Sequence, residues 1–195
     1  MKKRVLSLLL AVLIVLALVP PAEVRAAEIV ASGDCGAEGS NVTWSLDSAG
    51  TLTISGTGAI ENYGSNSFGK RQAPWKPWRY NLSGESGVVI KKVVITEGIT
   101  AIGDFAFEWC SEMTEISIPN SVTSIGNGSF STCQSLHAVF LPKNLTEIGE
   151  SAFEHCDALS TVTIPAKVTT LGASAFASCD NLESVTISGP ISTIW

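Results

Sequence analysis

Four cysteines, Cys110, Cys133, Cys156 and Cys179, stand 23 residues apart, and one of them directly follows a histidine, His155. Thiols and imidazoles build thiolate nucleophiles, zinc sites and disulfides, so this row is where chemistry would be sought first. Each use makes a geometric demand. A Cys–His pair must converge and needs an oxyanion hole and an orienting Asn or Asp. His155 and Cys156 are neighbours in sequence, so their side chains point apart, and the other histidine, His137, belongs to a different position of the interval. Tetrahedral zinc needs ligands arriving from four directions, which a straight row cannot supply. Equivalent positions in stacked strands lie about 4.8 Å apart. That suits the Cα spacing of a disulfide, but parallel side chains fit poorly the Cβ separation of about 3.8 Å. The expectation is a row of buried thiols acting as small hydrophobes, with Cys35 unpaired by count. The chain has no Gly-rich phosphate loop, His-Glu-x-x-His motif or paired-carboxylate motif. No catalytic residue, metal or cofactor is expected.

The interval that spaces the cysteines also spaces everything around them. Gly103, Gly126, Gly149 and Gly172 repeat at 23, as do Phe107, Phe130, Phe153 and Phe176. Apolar columns run in step: Ile90, Met113, Leu136, Leu159, Leu182; Val93, Ile116, Val139, Val162, Val185; Ile95, Ile118, Leu141, Ile164, Ile187; Ile102, Ile125, Ile148, Leu171, Ile194. A period of this size marks a repeat architecture in which no unit buries its apolar side alone. Leu136-x-x-Val139-x-Leu141 has the form of a leucine-rich-repeat strand, ended by Pro142, which lacks an N–H. The second half of each unit predicts a short extended piece and one helical turn. Gly149 there permits either a positive φ or a close backbone approach.

With the strand-Pro, Ile-Gly and Ala-Phe-x-x-Cys pattern in view, residues 90–195 resemble the BspA-like leucine-rich repeats of bacterial surface proteins. Four complete copies and a partial fifth carry the pattern. It departs at Thr96 and Ser188, where the proline is absent, and at Ser129, which replaces the alanine before Phe. The resemblance implies a repeat stack used for adhesion or protein binding at the cell surface, and no catalytic residue. The predicted fold is therefore a β-rich solenoid, a right-handed leucine-rich-repeat stack of 23-residue units with a parallel strand face.

Ahead of the repeats, Val42 to Leu46 and Thr51 to Ile54 alternate apolar and polar residues around the turn-forming Asp47 to Gly50, a β-hairpin signal. Residues 27–89 are read as an N-terminal cap: an irregular lead-in over 27–41, this hairpin with Trp44, Leu46, Leu52 and Ile54 on one face, and a long loop. The resemblance agrees, since similar leaders precede such repeats. Inside the loop, Trp75, Lys76, Trp78 and Arg79 interleave rings and bases, in a segment stiffened by Pro74 and Pro77. They suit stacking on a sugar or holding an anion. Equally, Trp75 and Trp78 suit plugging the end of the stack while the bases stay solvated.

Within each strand, positions one, four and six face the core, which leaves two, three and five in solvent. Most of that outer face is small and polar. Phe140 is the exception, with His137 on its own strand, Ser117 and Thr163 in its column, and Glu115 one strand away. An exposed ring on a concave face is a candidate anchor. These residues and the tryptophan loop are the candidate ligand-binding positions.

The chain of 195 residues, 45% apolar, is long enough for one domain or a domain plus a cap. Lys2, Lys3 and Arg4, an apolar run from Val5 to Val19 and Val24-Arg25-Ala26 read as a cleavable signal peptide over 1–26. The run is short for a spanning helix, and no cysteine near the cleavage site offers a lipid anchor. The mature chain would hold 8 bases and 17 acids, a net charge of −9. Residues 93–195 hold two bases and eleven acids, which excludes a phosphate-binding footprint for nucleic acid on the repeats. The expected setting is secreted or at the cell surface, with an extracellular protein or glycan as partner and no membrane span in the mature chain. The unfinished last unit also predicts an open C-terminal end suited to self-association or docking onto further repeats.

Overall fold

The alternation of Val42, Trp44 and Leu46 with polar residues builds a strand whose one face is buried, and its partner strand does the same with Leu52 and Ile54. A computed structural model describes residues 26–64, 72–75 and 87–194. The predicted leader, apart from Ala26, and the loop residues Lys76, Trp78 and Arg79 lie outside the described residues. Strands β1 (Ile29–Gly36), β2 (Gly39–Asp47) and β3 (Thr51–Gly56) form an antiparallel meander. In it Trp44 stands opposite Ile54, and Leu46 opposite Leu52.

The irregular lead-in expected before the hairpin is instead strand β1. It carries mostly small, exposed residues, so no apolar alternation betrays it, and it is held by backbone pairing to β2. At Gly33 it crosses the Trp44 indole, and a Cβ there would stand 3.0 Å from Nε1.

From β3 onward the sheet turns parallel. Strand β3 pairs with β5 (Lys92–Ile95), and β5 pairs with β7 (Glu115–Ser117). A second row joins β4 (Gly58–Ala59), β6 (Ile99–Ile102), β8 (Ser124–Ile125), β9 (Glu147–Ile148), β11 (Thr170–Leu171) and β13 (Thr193–Ile194). Strands β10 (Thr161–Ile164) and β12 (Ser184–Ile187) form a third, two-stranded sheet. From β5 on, parallel partners differ by 23 positions, as in Val93 opposite Ile116, Val162 opposite Val185 and Ile125 opposite Ile148. The N-terminal strands thus enter both rows, β3 one and β4 the other.

The predicted helical turn does not form, and no described residue is helical. Where it was expected, alternate amides point along the stack instead. The amides of Phe105, Phe107 and Trp109 donate to the carbonyls of Asn127, Ser129 and Ser131 at 2.8–2.9 Å, and Gly128, Phe130 and Thr132 repeat this toward the next coil. Two positions per coil adopt positive φ to achieve it: Phe105, Gly128, Ser151 and Ser174, and Trp109, Thr132, His155 and Ser178. Non-glycine residues are strained there by about 1–3 kcal/mol each, which the intercoil hydrogen bonds offset. The Ile-Gly glycines serve the other role open to them. A Cβ on Gly149 would meet the backbone of Gly126 and Asn127 at 2.7 Å.

Phe107, Phe130, Phe153 and Phe176 stack in register, with ring centroids 5.0–5.3 Å apart and planes within 13°. Around them the apolar columns are buried up to Ile164 and Val168, apart from the partly buried Ile118 and Leu141, whereas Val185 and Ile187 of β12 are 40% and 49% exposed.

Candidate functional site

The strand face is not continuous. The segment 137–141, expected as a strand, belongs to no sheet, so the row β5–β7 stops on one side of it and β10–β12 begins on the other. Two positions distinguish its sequence from the neighbouring coils. Ala138 is a weak strand former at the position that Glu115 and Thr161 hold in the adjacent coils. Phe140 sets a large ring in a column otherwise made of Val94, Ser117, Thr163 and Thr186. Val139 stays buried, so the segment is still anchored to the core.

The break opens a groove of about 800 Å³ between this segment and the next coil. Ala138, Phe140, Thr161 and Thr163 line its length, while Lys143, Asn144, Pro165 and Lys167 close its end. Phe140 is 82% exposed, the most exposed of the large apolar side chains among the described residues. Thr163 shares the groove with it; Ser117 and His137 are exposed nearby on the same face but do not line the groove. Glu115 is drawn the other way, into a solvent-exposed ion pair with Lys92 at 3.0 Å. Of the loop candidates, Trp75 is buried in the core, and Lys76, Trp78 and Arg79 lie outside the described residues.

Lys143 and Lys167 were not singled out by sequence reasoning. Their signal was present: they are the two bases of residues 93–195, and each follows a strand-ending proline by one or two positions. Lys167 Nζ donates to Asn144 Oδ1 at 2.8 Å, and neither lysine makes an ion pair among the described residues.

The cysteine row has a structural task. Cys133, Cys156 and Cys179 donate from Sγ to the carbonyls of Phe107, Phe130 and Phe153, 3.1–3.3 Å away in the preceding coil. All five cysteines are free thiols. Burial pushes Cys35 up to about 12, with Asp34 and Glu61 adding to it. Burial foremost also raises Cys156 and Cys179 above the usual thiol range. Such groups are poor nucleophiles. His155 is exposed and Cys156 buried.

Comparisons with known proteins bear on the whole repeat region. The family model described as a BspA type leucine rich repeat region of six copies matches residues 86–195. Among solved structures, a leucine-rich repeat protein from Eubacterium ventriosum is similar at 25% identity and a TM-score of 0.54, over 81% of this chain and 44% of that one. Another from Bacteroides ovatus gives 30% identity and a TM-score of 0.50, over 75% of this chain and 39% of that one. The T. pallidum leucine rich repeat protein shares the fold, with 23% identity, a TM-score of 0.50 and coverage of 78% and 71%. This chain thus spans less than half the length of the first two. No curated protein matches in sequence. Since its columns, its strand registers and a profile match over more than half its length agree, the chain belongs to the BspA type leucine-rich repeat family.

Proposed function

We propose that this protein is a secreted or cell-surface binding and adhesion module, without catalytic activity, that engages an extracellular protein or glycan on its strand-lined face around Phe140. In this reading, residues 27–89 cap a right-handed stack of 23-residue units over 90–195, and the leader 1–26 directs export. The observation that carries it is the 82% exposed Phe140 ring on the groove where the strand row breaks. A large ring left in water on an otherwise polar face forgoes burial that a partner would supply. Among the described residues, the raised thiol pKa values of Cys35, Cys156 and Cys179 and the exposure of His155 beside the buried Cys156 give no support to a thiolate–imidazole enzyme. Among the described residues no helix is long and apolar enough to cross a membrane. Screening the purified protein and Phe140→Ala on an array of extracellular proteins and glycans tests the reading. Selective binding lost in the variant supports it; binding that is unaltered in the folded variant moves the site elsewhere.

A second reading has its own observation: Val185 and Ile187 present apolar surface on β12, which suits docking onto further coils or a second chain. Concentration-dependent mass in analytical ultracentrifugation, abolished in Val185→Glu, would support it.

A further inference from the structure

The groove beside Phe140 has a lining that narrows what it would take. Residues 93–195 carry eleven acids and two bases. Both bases, Lys143 and Lys167, border the groove, and none of the acids lines it. It is a positive corner on a negative repeat surface, so its complement is anionic. Both ammonium groups keep donors to offer. The Lys143 side chain has no partner among the described residues, and Lys167 Nζ gives one of its N–H groups to Asn144 Oδ1 at 2.8 Å, which leaves the others for a ligand.

The walls decide between kinds of anionic ligand. The coil that carries 137–141 is hydrogen-bonded to both of its neighbours, with Ser135 N–H donating to the Ser111 carbonyl and Ser160 N–H to the His137 carbonyl. No open strand edge is left there for a peptide main chain to extend, and such pairing is the main source of affinity in strand-addition recognition of peptides. Side chains are what the groove offers instead. Phe140 stands 82% exposed, its ring proud of the wall and not sunk in a pocket. The exposed Thr161 and Thr163 bring hydroxyls with no hydrogen-bond partner among the described residues. A pyranose matches this set, since its C–H groups pack on the electron-rich face of the ring while its hydroxyls reach the threonines.

We propose that the groove binds a carboxylate-bearing glycan, a chain containing uronic or sialic acid. One sugar ring lies on Phe140, its hydroxyls meet Thr161 and Thr163, and a carboxylate takes charge-assisted hydrogen bonds from Lys143 and Lys167. The proposal rests on the reading of the Phe140 face as the binding site and adds the class of ligand.

The test titrates fluorescein-labelled hexagalacturonate, hyaluronan hexasaccharide and sialyllactose against the protein by anisotropy at low salt. Each is run beside its methyl ester, which keeps the rings and hydroxyls, and beside hexaglutamate, which keeps only the charge. At least one of the acidic glycans is expected to bind, about tenfold or more tighter than its ester and than hexaglutamate, with affinity falling as salt is added. That affinity should drop about tenfold or more in Lys143→Glu/Lys167→Glu and about thirtyfold in Phe140→Ala, and persist in Lys143→Arg/Lys167→Arg. Each variant is checked for native stability. Binding of none of the acidic glycans, equal affinity for the esters, or equal affinity in the charge-reversed variant overturns the proposal. So does hexaglutamate bound as tightly as the glycans, which assigns the groove to acidic peptides. Those outcomes leave the Phe140 face as a site for a different partner. A glycan whose binding ignores Phe140→Ala would instead remove the binding-face reading itself, and the proposal with it.

Discussion

The indole Nε1–H of Trp75 donates to the carbonyl of Ala106 at 2.9 Å while its ring stacks on Phe107 at 5.6 Å and 23°. Within the stack, the equivalent carbonyls of Ser129, Ala152 and Ala175 each accept from the backbone amide of a phenylalanine one coil earlier. Trp75 therefore supplies both things a preceding coil would have given the first repeat: a ring for the aromatic column and a donor for its carbonyl. Edge contacts from Trp44 and Tyr63 at 5.8–5.9 Å hold it there.

Replacing that side chain should be costly. Trp75→Ala is expected to destabilise the protein by about 3–5 kcal/mol, as truncation of a buried large aromatic does. Trp75→Phe retains ring contact but orphans the Ala106 carbonyl, for about 1–3 kcal/mol. Urea denaturation of both variants separates the two contributions; equal and negligible losses would contradict the role.

Phe140→Ala should behave in the opposite way. With the ring 82% exposed, stability is expected to change by no more than about 0.5 kcal/mol. Affinity for a ligand of the strand face should fall by about 2 kcal/mol or more, roughly thirtyfold, in a titration of the folded variant.

Stability should decline in alkali. Folding raises the pKa of Cys35, to about 12, and of Cys156 and Cys179, each above the ordinary thiol range, chiefly through burial. Above that ordinary range the unfolded chain loses thiol protons that the folded chain keeps, so the unfolded state binds fewer protons and stability falls with rising pH. The contribution is intact below about pH 9 and is lost progressively as pH climbs toward the folded values. Thermal melts from pH 8 to 11 on wild type and Cys35→Ala/Cys156→Ala should show the steeper decline in wild type. Alkylation should be slow in the native state, with five thiols modified once denatured.

Gly149→Ala tests the close approach of coils. Its Cβ would sit 2.7 Å from the backbone of Gly126 and Asn127, which has no flexible end to move aside. A loss of about 1–3 kcal/mol is expected, as for overpacked sites, measured by chemical denaturation. A neutral outcome would mean that the coils separate easily at this corner.

The repeat interval, the buried columns and the free cysteine row were legible in the sequence, because stacking forces every coil to put the same residue type in the same place. Leu159, Val162 and Ile164 announce their strand for that reason, as do Trp44 and Leu46 in the hairpin. Phe140 was legible too, as the one bulky residue at an outward position. The lead-in strand β1 was not, since its small exposed residues are held by pairing that belongs to β2. Nor was the turn of each coil, where Phe105, Ser151 and His155 take a positive φ that their own side chains disfavour and that only intercoil hydrogen bonds repay. The groove likewise arises between coils. Lys143 and Lys167 lie 24 positions apart in sequence, and it is the stacking of one coil on the next, with Lys167 bonded to Asn144, that brings them to one opening beside Phe140. Local sequence sets which side chains each coil carries inward; which edges pair and which stay open is a balance between neighbouring coils, and that balance exists only in the assembled stack.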